Sequence, residues 1–71
     1  MNGKIKITID DGEIIIEADG KGLDYLSDIC TKLRNLSDEE AKTPANHYHI
    51  SADMNNAEAG SIPTIIVRLN K

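Results

Sequence analysis

The chain has 71 residues, so it holds one domain with a thin core. With no Trp or Phe and only two Tyr, that core must be aliphatic, and isoleucine dominates, a residue whose β-branched shape suits strands. The net charge of −4 and the pI of about 4.9 exclude a nucleic-acid footprint, which needs a concentrated Lys/Arg surface.

One cysteine, Cys30, excludes an internal disulfide, and its place among helical apolar residues predicts a buried, inert thiol in a reducing compartment. The first residues, Met1-Asn2-Gly3-Lys4-Ile5, lack an apolar run of signal-peptide length, and no segment approaches a membrane span. A cytoplasmic location is therefore expected, with no membrane partner.

Ile5, Ile7 and Ile9 alternate with Lys4, Lys6 and Thr8, the pattern of a half-buried strand. Asp10-Asp11-Gly12-Glu13 follows, and Asp-Gly between alternating apolar runs is a strong hairpin signal. A two-residue Asp11-Gly12 loop sets the register. Ile9 then faces Ile14, Ile7 faces Ile16 and Ile5 faces Ala18. On the other face Thr8 meets Ile15, and Lys6 meets Glu17 as a cross-strand ion pair.

A helix is predicted from about Gly22 to Leu36, with Leu23, Leu26, Cys30 and Leu33 as its apolar stripe and Ile29 and Leu36 beside them. Asp24 and Asp28 toward its start and Lys32 and Arg34 toward its end suit the helix dipole. The stretch Ser37 to Pro44 reads as a solvated connection, although Ser37 and Glu40 match a capping box that would add a short turn.

Asn46 to Ala52 alternates strictly, with His47, His49 and Ser51 on one side and Tyr48, Ile50 and Ala52 on the other. Asp53 to Ser61 is a turn-rich loop. Pro63 to Leu69 is the last strand, with Ile65, Val67 and Leu69 assigned to the core and Thr64, Ile66 and Arg68 to the opposite face. Asn70-Lys71 is the tail.

These elements predict a single α+β domain spanning residues 1–71, in the order β-β-α-β-β. One mainly antiparallel four-stranded sheet carries one helix on one face. The helix crossover should be right-handed if the strands it joins share that sheet. Strand orders 2-1-3-4 and 1-2-4-3 both remain open. The expected core is Ile5, Ile7, Ile9, Ile14, Ile16, Leu23, Leu26, Ile29, Cys30, Leu33, Tyr48, Ile50, Ile65, Val67 and Leu69.

The helix-free face should carry Lys6, Thr8, Ile15, Glu17, His47, His49, Thr64, Ile66 and Arg68. Two isoleucines among histidines and an arginine suit an interface centre; a solvated face is the plain alternative. His47 and His49 stand about 7 Å apart along the strand. Such a pair donates two imidazoles to zinc, and Glu17, Asp53 or Glu58 would have to complete the shell. A lone His-x-His is a weak signal, so no metal or cofactor is assigned. No acid–base pair, positioned serine nucleophile or phosphate loop can be read, so no enzyme activity is expected.

The helix motif Gly22-Leu23, Leu26 and Leu33, then His47-Tyr48-His49-Ile50, then the closing Ile65-Ile66-Val67-Arg68-Leu69, resembles immunity protein family 32 of bacterial polymorphic toxin systems. The similarity covers nearly the whole chain through short motifs. The resemblance implies a small cytoplasmic α+β protein that binds and neutralises a cognate toxin domain by stoichiometric occlusion. The partner surface expected from the open face is Ile15, His47, His49, Ile66 and Arg68, with the acidic Glu39, Glu40, Asp53 and Glu58 nearby. Two other readings stand beside it: a small metal-binding domain using His47 and His49, and a homodimeric structural module joined through the open face.

Overall fold

A computed structural model describes residues 3–69; the tail Asn70-Lys71 and the first two residues lie outside that range. The element order is β1 (Ile5–Asp10), β2 (Glu13–Ala18), α1 (Gly20–Arg34), α2 (Asp38–Ala41), β3 (His47–Ile50) and β4 (Thr64–Val67).

The first hairpin has the register expected from its turn: Ile9 opposite Ile14, Ile7 opposite Ile16, Ile5 opposite Ala18, Thr8 opposite Ile15 and Lys6 opposite Glu17. Asp11 and Gly12 carry φ of 52° and 81°, the left-handed pair that a tight two-residue hairpin loop requires. The expected Lys6–Glu17 ion pair does not form; Arg68–Asp38, at 3.9 Å, is the ion pair found among the described residues.

The single four-stranded sheet does not form. β1 pairs with β2, β3 pairs with β4, and these are two separate antiparallel sheets, so neither expected strand order applies. The reason lies at the free edge of β1. The segment from Glu58 to Ile62 occupies it: the Glu58 and Ile62 amides donate to the carbonyls of Ile5 and Ile7 at 2.7 and 2.8 Å. The Ile7 amide donates to Ser61 Oγ at 3.1 Å. That loop takes the Ile5–Ile7 part of the edge, where β3 or β4 would otherwise have docked.

α1 begins two residues earlier than its apolar stripe suggested. Asp19 is the N-cap, and its carboxylate accepts from the Gly22 amide at 2.7 Å. Ser37 and Glu40 complete a reciprocal capping box, so the connection contains a real one-turn helix, α2.

The buried cluster is Ile5, Ile7, Ile29, Leu33 and Ile50, with Leu26, Leu36, Tyr25, Tyr48, Ile62 and Ile66 packed against it. It therefore joins β1, α1 and β3. Several expected core residues lie outside it: Ile9, Ile14, Ile16, Leu23, Ile65, Val67 and Leu69 are exposed, as is Cys30. For α1 the buried line runs Gly22, Ile29, Leu33, one residue round from the Leu23–Cys30 line. Gly22 sets that rotation, because a Cβ there would run into the Lys4 carbonyl.

Among the described residues no helix is long and apolar enough to cross a membrane.

Candidate functional site

The β3–β4 register places His47 opposite Val67, Tyr48 opposite Ile66, His49 opposite Ile65 and Ile50 opposite Thr64. Directly opposed residues share a face. Tyr48, Ile50, Thr64 and Ile66 thus point toward the core, and His47, His49, Ile65 and Val67 point outward. This reverses the expected orientation of β4. Ile66 packs against the core instead of lying open, while Ile65 and Val67 are 53% and 50% exposed.

Arg68 explains why a polar residue can occupy the inner side. Its Nη1 donates to the carbonyls of Leu33, Arg34 and Leu36 at 2.9, 3.1 and 3.1 Å. The guanidinium is thus consumed in closing the end of α1, where helix carbonyls have no intrahelical partner. The expected common surface of Ile15, His47, His49, Ile66 and Arg68 is not assembled. Ile15 stands on the other sheet, and Ile66 and Arg68 face inward.

The two histidines do come together. Their Nε2 atoms are 3.2 Å apart, and the rings meet edge-on with centroids 4.9 Å apart. His49 is exposed and His47 half-buried. Asn46 orients the pair. Its Nδ2 donates to the Ala41 carbonyl at 3.2 Å, which leaves Oδ1 to accept from His47 Nδ1 at 3.2 Å. Asn46 Oδ1 can only accept there, so His47 carries a proton on Nδ1; with that ring neutral, its Nε2 offers a lone pair into which His49 Nε2–H donates. No group of three or more His, Cys, Asp or Glu side chains suited to a metal occurs among the described residues, so Glu17, Asp53 and Glu58 do not complete a shell around the pair.

The acidic residues are dispersed. Glu39 and Glu40 lie in α2, and Asp53 and Glu58 in the loop after β3. Hydrogen bonds from the Ser37 amide and then the Ser37 hydroxyl hold the Glu40 carboxyl below its ordinary range. Asp19 is lowered in the same way, first by the Lys4 amide and then by the Gly22 amide.

Sequence reasoning missed Asn56. This buried residue accepts from the Ser51 amide at 2.8 Å and donates to the His49 carbonyl at 2.8 Å and the Tyr25 hydroxyl at 3.1 Å. It folds the long loop onto β3 and α1, and nothing in a run of small polar residues marks it out. A shallow groove of about 600 Å³ opens beside it, lined by Lys21, Asp24, Asp28, Tyr25 and Met54.

Comparison with known protein families, curated proteins and solved structures finds no match for this chain.

Proposed function

We propose that the chain is a protein-binding module without enzymatic activity. Its partner is the cognate toxin domain implied by the family resemblance, neutralised by occupation of its surface in a stoichiometric complex. The observation that supports binding is the tip of the first hairpin. Ile9, Ile14 and Ile16 are 59%, 58% and 54% exposed. Ile9 and Ile14 are direct cross-strand partners, and Ile16 follows on the same face, so the three side chains form one aliphatic row.

α1 and β3 cover the base of this hairpin face, where Ile5 and Ile7 are buried, and leave its tip clear. An aliphatic row ending beside charged turn residues is what an interface centre with a polar rim requires. Asp10, Asp11 and Glu13 form that rim, and Glu39, Asp53 and Glu58 are exposed acids suited to a basic partner. Glu40 is committed to its capping box.

The test is co-expression with the C-terminal domain encoded by the adjacent reading frame, with growth scored with and without this chain, followed by co-purification. Rescue of growth with a stable complex is expected. A toxic domain that is neither rescued nor bound would overturn the reading.

A further inference from the structure

We propose that His47 and His49 form a two-point chelate for a borderline divalent transition-metal ion such as Zn²⁺, completed by the same two residues of a second copy of the chain. The inference does not rest on the toxin-binding reading, which uses the opposite end of the molecule's sequence and a different sheet.

The first support is the bite. Two nitrogens bound to tetrahedral zinc at about 2.0–2.1 Å must lie about 3.3 Å apart. The Nε2 atoms of His47 and His49 are already 3.2 Å apart. Residues i and i+2 on a flat strand start about 7 Å apart, so this convergence comes from how the two side chains are turned.

The second support is the orientation of His47. Metal-binding histidines donate their other ring N–H to an oxygen, which fixes the tautomer and the ring plane. Asn46 Oδ1 does this for His47, and Asn46 is itself held by the Ala41 carbonyl. Half the chelate is thus preset. The other half needs one tautomer change. The proton on His49 Nε2 leaves to solvent and a solvent proton adds to Nδ1, so the ring stays neutral and both Nε2 lone pairs become available. His49 is exposed, and its ring is free to turn toward the ion.

The third support concerns the missing ligands. No third donor from the chain joins the pair among the described residues. Beside the pair, directly opposite His47 and His49 in the register, stand the exposed Val67 and Ile65. A two-fold apposition of two such faces brings four imidazoles to one ion and removes four aliphatic side chains from water at once. Each chain carries −4, so a dication at the seam also offsets the repulsion between copies. Imidazole donors favour Zn²⁺, Cu²⁺ or Ni²⁺ over Mg²⁺ and Ca²⁺, which take oxygen ligands.

The experiment is equilibrium dialysis against ZnCl₂ with sedimentation velocity on the same samples. The expected result is saturation at about one ion per two chains, a doubled mass, and return to monomer with EDTA. His49→Gln should abolish both uptake and dimerisation while keeping the wild-type thermal transition in EDTA. Asn46→Ala, which removes the acceptor for His47 Nδ1–H, should weaken zinc uptake about 10- to 100-fold. No zinc uptake, undiminished uptake by His49→Gln, or an equal response to MgCl₂ would overturn the chelate. One zinc per monomeric chain would overturn the shared site.

Discussion

Arg68 Nη1 donates to the Leu33 carbonyl at 2.9 Å, joining the end of the last strand to the end of the main helix. The same nitrogen reaches the carbonyls of Arg34 and Leu36, so one planar group serves three carbonyls at and just beyond the end of α1. Arg68→Ala should cost about 1–3 kcal/mol, the usual range when buried polar groups lose their partner. Arg68→Lys should recover only part of that, because an ammonium does not reproduce the guanidinium fork. Urea denaturation of the three proteins checks this, and equal midpoints would refute the role.

Asp19 ties the start of β1 to the start of α1. Its carboxylate accepts from the Lys4 amide at 3.0 Å and the Gly22 amide at 2.7 Å, and its own amide donates back to the Lys4 carbonyl at 3.1 Å. The Asp19 carboxyl is held below its ordinary 3.8 and that of Glu40 below its ordinary 4.5. A depressed carboxyl stabilises the fold fully above its unfolded value and loses that contribution as pH falls through its folded value. The double variant Asp19→Asn, Glu40→Gln should therefore be less stable than wild type at neutral pH. The gap should close in acid below these ordinary values, as read from thermal melts across a pH series. A gap that stays constant with pH would exclude the two carboxylates as its source.

Gly20 and Gly22 separate helix propensity from packing. Both lie in α1, where alanine is intrinsically the better residue. A Cβ at Gly20 meets open space, so Gly20→Ala should stabilise by about 0.4–1 kcal/mol. A Cβ at Gly22 collides with the Lys4 carbonyl, part of the backbone, so Gly22→Ala should destabilise despite its propensity. Opposite signs in chemical denaturation are the expected outcome.

Local chemistry could be read along the chain; long-range partnership could not. Asp11-Gly12 determines a hairpin and its register because the turn geometry and the strand period leave no freedom. The capping box at Ser37 and Glu40 is equally local. The union of four strands in one sheet failed because a loop without strand character, Glu58 to Ile62, took the edge of β1. The inner face of β4 is not legible in the sequence because its outward row, Ile65, Val67 and Leu69, is the more aliphatic. Arg68 can nevertheless sit on the inner side, where α1 offers it carbonyls. The histidine pair was visible as His-x-His, but its 3.2 Å approach depends on Asn46 and on side-chain rotation.

Ile7 and Ile16 are cross-strand partners with opposite fates: Ile7 is 1% exposed and Ile16 is 54% exposed. Ile7→Ala should destabilise by about 2–5 kcal/mol, the range for a filled core site. Ile16→Ala should cost less than about 1 kcal/mol, as for a surface position. Comparable losses would mean that the hairpin tip is covered in solution.

The central claim is that the aliphatic tip of the first hairpin is the surface that occupies a toxin domain. Calorimetric titration of that domain with wild type and with Ile14→Glu tests it most directly, after the variant's thermal transition has been matched to wild type. A charge placed at the centre of a desolvated contact should weaken binding by at least about 30-fold, or about 2 kcal/mol. Equal affinity from a folded Ile14→Glu variant would contradict the account.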